Sequence, residues 1–461
     1  MKSDWTKTKV LVIGAARQGL ALAQFLSSHG AIVTMNDGRS EHELQSSKDQ
    51  LKDLPVRWVL GDHPLGLLHE TELVCVSGGV PLDIPLIEEA VNKNIPLSND
   101  SQIFMENAPC PVIGITGSAG KTTTTTLLGE IAQKAFSQGG KVWVGGNIGN
   151  PLINHVEEMT VNDLVILELS SFQLELMTDS PNIAAIMNIT PNHLDRHRTV
   201  EAYTAAKANI LKHQTSNDYA ILNRDDRGSF GLKHMVKGKL VSFGFSSITE
   251  DQIGSFIDQD AVWVRNQSTC EEICKLDEIT LPGKHNISNV LAASAISHVA
   301  GFKKEAIRAA ILEFKGVPHR LQFVRECNGI RWINDSKATT PEGSMAAIQA
   351  FSNPIVLLLG GKDKNLPWKN LLHLVNQKVD HVILFGDAAE KIHGYIKDMK
   401  FQNQNFTLDL CNHLQDAVIT ARKIAEPGDI VLLSPGGTSY DEFKDFEERG
   451  EKFQSWVLHL Q

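Results

Sequence analysis

The stretch Pro111-Val112-Ile113-Gly114-Ile115-Thr116-Gly117-Ser118-Ala119-Gly120-Lys121-Thr122-Thr123 decides the fold. Its opening apolar run reads as a buried strand. Residues 122–134 then place small and apolar side chains at helical spacing, with threonines where a helix start is capped. A strand, a glycine-rich turn and Gly-Lys-Thr opening a helix make a phosphate-binding loop. The glycines let backbone N–H groups approach phosphate oxygens, and the helix N-terminus favours the anion. Lys121 reaches the terminal phosphates and the Thr122 hydroxyl is placed for magnesium. The pattern departs at one position: Ile115 stands where the motif has its first glycine, and Gly114 comes one residue early. The candidate nucleotide contacts are therefore Gly117, Ser118, Ala119, Gly120, Lys121, Thr122 and Thr123, and the expected ligand is ATP or a close relative.

A length of 461 residues is enough for about three domains. With 42% apolar and 21% charged residues the composition is that of a soluble globular protein. A net charge of −10 argues against a nucleic-acid partner. The polar residues 1–9 run directly into a strand-like segment, so no secretory signal is expected. No apolar run approaches the roughly 20 residues that span a bilayer. A cytoplasmic protein with no membrane partner follows. Of six cysteines only Cys270 and Cys274 lie close together, and no second pair completes a zinc set or a disulfide framework.

On the N-terminal side, residues 9–19 read as a strand, a tight turn and a helix running to about His29. Residues 31–37 form a second strand ending in Asp37. This is half of a dinucleotide-type unit, but Ala16 replaces the middle glycine of Gly-x-Gly-x-x-Gly. Taken alone, the unit binds NAD, binds another nucleotide, or is only a folded βαβ element; the last two readings outweigh the first. Leu73-Val74-Cys75-Val76-Ser77-Gly78-Gly79 is a further strand ending in a glycine turn. A domain boundary is expected near 99–111.

On the C-terminal side, residues 142–144 form a strand leading into Gly145-Gly146-Asn147. Residues 164–168 form another, ending in the carboxylate of Glu168, the usual position of a magnesium ligand beside such a loop. A strand at 184–189 precedes Thr190-Pro191-Asn192-His193-Leu194-Asp195-Arg196-His197, and a helix at 201–213 carries Lys207. Strands are read at 218–223, 240–245 and 261–265, and Pro282-Gly283-Lys284-His285-Asn286 opens an alanine-rich helix. A second boundary falls near 316–318. Beyond it, a hairpin at 322–326 and 330–334 turns on Asn328-Gly329. The polar cluster Asp335-Ser336-Lys337-Ala338-Thr339 follows, then three strand–helix units with strands at 355–359, 381–385 and 430–433. Such alternation predicts a third, mostly parallel α/β domain.

Singly, these clusters have plain readings: His193 as part of a helix cap, Lys207 as a solvated helix lysine, His319-Arg320 as a surface pair. Their order changes this. Phosphate loop, strand-end glutamate, Asn-His-Leu-Asp-Arg-His, helix lysine, His-Asn-x-x-Asn, His-Arg and Asp-Ser-Lys-Ala-Thr together resemble the Mur ligases, which build the peptide stem of bacterial cell-wall precursors. The resemblance covers about residues 9–453. Two stretches, Glu168-Leu169-Ser170-Ser171-Phe172-Gln173-Leu174-Glu175 and Leu433-Ser434-Pro435 with Ser439-Tyr440-Asp441-Glu442-Phe443-Lys444-Asp445-Phe446-Glu447-Glu448-Arg449-Gly450, are similar to those of the members that add D-glutamate.

The resemblance implies an α/β protein of three domains. These are an N-terminal Rossmann-like domain (1–103) that holds UDP rather than a redox cofactor, a central P-loop ATPase-type domain (104–316), and a C-terminal Rossmann-like domain (317–461) for the incoming amino acid and part of ATP. Because ATP contacts come from the second and third domains, domain closure is implied. The implied substrates are UDP-N-acetylmuramoyl-L-alanine, D-glutamate and ATP with two magnesium ions, acted on by a monomer. By the same resemblance Lys121 contacts the transferring phosphate, Thr122 and Glu168 hold one magnesium, and His193 serves the other. Lys207 is implied to act as a carbamate, an anionic oxygen ligand. Lys121, His193 and Lys207 form the expected catalytic set. Asn286 and Asn289 are matched to the base of ATP, Arg320 to its phosphate and Asp335 to its ribose. Arg17, Gln18, Asp37, Gly38, Arg39, Gly79 and Asn147 are matched to the UDP-substrate, and Thr339, Lys364, Ser439 and Phe446 to D-glutamate. Gly78 departs from the family pattern, which carries proline there, and predicts a looser loop.

Overall fold

The computed structural model describes residues 4–136, 139–281, 283–363, 366–399 and 406–460, with Leu194 and Asp195 described by their backbone alone. The described residues form three sheets. The first has five parallel strands in the order Arg57–Leu60, Ile32–Asp37, Lys9–Ile13, Leu73–Val76, Leu97–Ser98. Lys9–Ile13 sits at its centre because Val10, Leu11, Val12 and Ile13 are apolar on both faces, as a strand covered on both sides requires. The order reverses beside it, so the carboxyl ends of Lys9–Ile13, Ile32–Asp37 and Leu73–Val76 open on a crevice where ligands of such sheets lie.

The second sheet has nine strands. Val142–Gly146, Leu164–Glu168, Val112–Thr116, Ile183–Ile186, Tyr219–Asn223, Lys239–Phe243 and Gly254–Asp258 run parallel, and Ala261–Arg265 with Cys270–Lys275 adds an antiparallel end. Val112–Thr116, the strand before the phosphate loop, is buried along its whole length. The third sheet places Gln322–Cys327, Ile330–Asn334, Ile430–Gly436, Ile355–Gly360, His381–Phe385 and Thr407–Leu410 side by side, parallel except for the opening hairpin. That hairpin turns on Asn328 at φ 54° and Gly329 at φ 74°, the pair of left-handed residues a two-residue turn needs.

The chain as far as Phe314 forms one compact unit, and Lys315 onwards forms a second. The first two sheets share a core: buried Val10, Phe25 and Met35 of the first are continuous with Leu152, Val165, Leu167 and Leu222 of the second. The segment at 99–111, where a domain boundary is expected, contains a helix, Asp100–Asn107. Asn99 caps it by accepting from the Gln102 amide at 2.8 Å, and donates its own side-chain amide to Gln173 O at 2.7 Å. The strand expected at 184–189 ends at Ile186, which frees Asn188 for the phosphate loop. Strands Arg57–Leu60, Leu97–Ser98, Gly254–Asp258, Cys270–Lys275 and Thr407–Leu410 were not expected from the sequence; most are short or mixed with polar residues. No helix among the described residues is long and apolar enough to cross a membrane.

Candidate active site

The phosphate loop joins strand Val112–Thr116 to helix Lys121–Ala135. Ile115 lies inside the buried strand, so the turn begins after it, and Gly117 and Gly120 are the glycines that shape it, at φ 155° and 83°. A Cβ on Gly117 would stand 2.8 Å from Met187 Cβ, and one on Gly120 would stand 2.4 Å from Asn289 Oδ1. Gly114 has a packing reason instead: a Cβ there would meet the Pro181 ring at 2.4 Å. The loop is held by Asn188, which no motif marks. Its Oδ1 accepts from the Ala119 amide at 2.8 Å, its side-chain amide donates to Ala119 O at 3.1 Å, and its own carbonyl accepts from the Ser118 amide at 3.0 Å. The Ser118 hydroxyl lies 3.0 Å from the Tyr203 hydroxyl.

Two amines meet on one carbonyl. Lys121 Nζ donates to Gly117 O at 2.7 Å, and Lys207 Nζ, from helix Val200–Lys212, donates to the same oxygen at 3.0 Å. Lys207 is no solvated helix lysine: it is 1% exposed, with its Nζ 4.7 Å over the Tyr203 ring. Burial, and then the charge of Lys121, push its amine down to about 7, against the pull of Glu168. A substantial fraction is thus neutral and nucleophilic at neutral pH.

Glu168 ends strand Leu164–Glu168 and is 2% exposed. Its Oε1 accepts from Asn147 Nδ2 at 2.9 Å, and its Oε2 has no hydrogen-bond partner among the described residues. A buried carboxylate oxygen left in this way beside a buried Thr122 suits a hard cation. No three His, Cys, Asp or Glu side chains among the described residues converge on a metal-sized point. Beside the one carboxylate, the Thr122 hydroxyl is the other oxygen donor the protein offers here.

His193 lies in a turn at φ 52°, and its ring meets the edge of Phe172 at 5.1 Å. Asn289, in helix Lys284–Val299, approaches Thr124 Oγ1 at 3.5 Å and Asn286 Oδ1 at 3.4 Å, so both asparagines stand by the start of the phosphate-loop helix. In the first sheet, burial raises the Asp37 carboxyl. Arg39, which binds it through Nε at 2.9 Å and Nη2 at 2.7 Å, and the amides of Ala15 and Arg39 outweigh that and hold it near 2. Arg17, Gly38 and Gly79 are exposed around the same strand ends. Asn147, matched to the UDP-substrate, follows strand Val142–Gly146 and donates its side-chain amide to Glu168 at the phosphate loop. The two places adjoin, since Gln18 Nε2 donates to Gly146 O at 3.4 Å.

In the second unit, Asp335 is buried. Its Oδ1 accepts from the Leu321 amide at 3.1 Å and its Oδ2 from the Ser434 hydroxyl at 2.8 Å, yet burial outweighs these bonds and raises it to about 6. Arg320 is exposed between two left-handed residues, His319 at φ 61° and Leu321 at φ 44°. Ser439 is buried, and Phe446 opens the last helix with its carbonyl accepting from Ser336 Oγ at 2.8 Å. A residue at the end of the second D-glutamate-type stretch, matched to no ligand, ties these together. Arg449, 0% exposed, donates to Ser336 O at 2.8 Å, Ser336 Oγ at 2.9 Å and Gly437 O at 3.1 Å, joining the segments that carry Asp335, Thr339, Ser439 and Phe446. Lys364 lies outside the described residues.

Comparison with known proteins agrees with this layout. The Mur ligase MurD-like N-terminal domain matches residues 8–99, the Mur ligase middle domain 115–297, and the Mur ligase glutamate ligase domain 319–437. The chain is 39% identical over 453 residues to the UDP-N-acetylmuramoylalanine--D-glutamate ligase of Caldanaerobacter subterraneus subsp. tengcongensis, covering 98% of each. It is 39% identical over 461 residues to the protein of the same name from Pelotomaculum thermopropionicum, covering 100% of this chain and 99% of that one. Among solved structures, the UDP-N-acetylmuramate-alanine ligase of Thermotoga maritima matches with a TM-score of 0.55 at 19% identity over 98% of this chain and 99% of that one. The MurF ligase of the same organism, in complex with ADP, matches with a TM-score of 0.53 at 16% identity over 99% of both. At such identities the structural likeness shows the three-domain fold alone, but with relatives alike over their whole length, the chain belongs to the Mur ligase family.

Proposed function

We propose that the protein is an ATP-dependent amide ligase that joins D-glutamate to UDP-N-acetylmuramoyl-L-alanine in the cytoplasmic synthesis of cell-wall precursors. The observation that carries the reaction type is the gathering of Lys121, Lys207 and Glu168 around one phosphate loop. The amino acid specificity rests on the full-length similarity to enzymes named for D-glutamate. The physical task is to bring two anions, the triphosphate and the alanyl carboxylate, within reacting distance and to neutralise charge as it develops. The carboxylate oxygen attacks the γ-phosphorus and ADP departs, leaving an acyl phosphate. The amine of D-glutamate attacks the acyl carbon, loses a proton, and inorganic phosphate leaves as the amide forms.

Lys121 neutralises the transferring phosphoryl group. Thr122, Glu168 and His193 are the residues that would hold magnesium, and the orphaned Oε2 of Glu168 is the structural reason to assign it. Magnesium supplies charge neutralisation at the phosphate oxygens. The depressed amine of Lys207 supports carbamylation: its neutral nitrogen adds to carbon dioxide and sheds a proton, turning a cation into a carboxylate-like ligand. Asn286 and Asn289 are assigned to the base. Arg17, Gln18, Asp37, Gly38, Arg39, Gly79 and Asn147 are assigned to the UDP-substrate, Asn147 also holding Glu168 Oε1. In the second unit Arg320 and Asp335 are assigned to ATP, and Thr339, Lys364, Ser439 and Phe446 to D-glutamate. The domain limits 1–103, 104–316 and 317–461 and a monomeric state belong to the same reading.

The test is phosphate release from ATP with magnesium and UDP-N-acetylmuramoyl-L-alanine, adding D-glutamate, L-glutamate, L-lysine or diaminopimelate separately. Release with D-glutamate alone, lost in Lys121→Ala, is expected. Release with another amino acid would move the protein within the family, and no release with any would refute the ligase reading.

A further inference from the structure

The turn that carries His193 is short and unfavourable. The helix Leu194–His197 is a single turn, entered by His193 at φ 52° and left by Arg198 at φ 64°. Left-handed non-glycine residues cost about 1 kcal/mol or more each and persist only where the surroundings over-determine them. Two side chains of the turn provide that hold. His197, buried, faces inward: its Nε2 lies 2.9 Å from Ser171 Oγ, its Nδ1 lies 3.2 Å from Glu175 Oε1, and its ring stacks on Phe172. Arg196 reaches the other way, into the first domain. Its Nη1 donates to Gly78 O at 2.9 Å and its Nη2 to Val80 O, while its guanidinium lies 4.2 Å over the Phe172 ring that also contacts His193.

Residues 77–80 end strand Leu73–Val76 and include Gly79, assigned above to the UDP-substrate. They have glycines at 78 and 79, where the backbone lacks the stiffness that proline would give. Arg196 supplies from the central domain what the loop's own sequence lacks. It is the fork of a single guanidinium, fixed by two carbonyls and one aromatic face, that ties the loop at the nucleotide end of the substrate to the turn at its reacting end.

We propose that Arg196 is a positioning residue that sets the spacing between the UDP-binding loop and the His193 turn, so that one sugar-nucleotide engages both at once. This rests on the assignment of a UDP-linked substrate. When both ends of a ligand bind to preset places, the second contact is intramolecular. Loosening the spacing removes that advantage without touching either contact. The effect therefore falls on the whole substrate and spares its nucleotide fragment.

The experiment is calorimetric titration of the full-length protein and its R196M and R196K variants with UDP and with UDP-N-acetylmuramoyl-L-alanine. UDP should bind all three within about twofold. The full substrate should bind R196M about 10–30-fold more weakly than wild type, and R196K in between, since an ammonium cannot reproduce the fork. R198M, which breaks the exposed Arg198–Asp83 pair at 2.8 Å, should bind both ligands as wild type does. Equal losses for UDP and the full substrate in both Arg196 variants would reduce Arg196 to general support of the fold and overturn the proposal. So would unchanged binding of the full substrate. Wild type that binds neither ligand would overturn the sugar-nucleotide reading, and this inference with it.

Discussion

Replacing Lys207 by methionine tests whether its amine is held neutral by burial. Methionine is unbranched and adaptable enough to fill the space of the lysine stem. In the unfolded chain the amine protonates near its ordinary value of 10.5, and in the fold near 7, because burial and then Lys121 disfavour the cation. A lysine with a depressed folded value carries no penalty above its unfolded value. The penalty grows as pH falls and is full below the folded value. At 1.36 kcal/mol per pKa unit, the penalty at pH 7 comes to about 4 kcal/mol, and between pH 7 and 9.5 it shrinks by about 3 kcal/mol. Methionine has no such term.

The measurement is urea unfolding of wild type and Lys207→Met at half-unit steps from pH 6 to 9.5. Every other titrating group is common to both proteins, so the difference in unfolding free energy reports residue 207 and its coupling to Lys121 and Glu168. The stability of the variant relative to wild type should be constant below pH 7 and fall by about 1.4 kcal/mol per pH unit above it. A difference that stays flat from pH 7 to 9.5 would show that the folded protein keeps Lys207 protonated, and would remove the support for its carbamylation. Activity should be lost in the variant at every pH, so stability and function separate at this residue.

Three further outcomes follow from the site. Glu168→Gln keeps an acceptor for Asn147 but removes the charge of the orphaned oxygen; phosphate release should fall at least about 100-fold, with saturation by magnesium lost in the titration of rate against metal. Asn188→Ala removes both side-chain bonds to Ala119, which should cost about 1–3 kcal/mol in urea unfolding and raise the KM for ATP more than it lowers kcat. Arg449→Met leaves three oxygens of Ser336 and Gly437 without their donor; it should destabilise the second unit by about 3 kcal/mol, and hydrogen exchange should rise across residues 315–461 while the first unit keeps its protection.

The phosphate loop was legible because its chemistry is local: a few adjacent residues specify strand, turn and helix. Ile115 looked like a defect in the motif and is not one. The strand simply runs through it, and Gly117 makes the turn. Lys207 was legible only through the order of the clusters around it, since helical spacing alone made it a surface lysine. What decides its chemistry is a contact with Gly117, 90 residues away in the chain, which no local pattern encodes. Asn188 and Tyr203 were missed for the same reason, and Arg196 and Arg449, though inside the motifs, were matched to no ligand there. They act on backbone carbonyls, amides and hydroxyls of distant segments, and such partners leave no mark on residue type.

The strained turns show why this supporting layer had to exist. His193 and the pair flanking Arg320 occupy left-handed conformations without being glycine. Glycine would relieve the strain but would leave the turn without the imidazole, and would widen the range of positions for Arg320. A functional side chain on a left-handed backbone is held in place only by bonds made elsewhere, and the buried His197 and His319 provide them. His197 engages Ser171 and Glu175, while His319 accepts from Asn334 Nδ2 at 3.0 Å. His193 and Arg320 therefore each stand beside a buried histidine of the same motif, His197 and His319, that supports the turn. That histidine's removal should disturb the geometry of the reaction before it disturbs the fold.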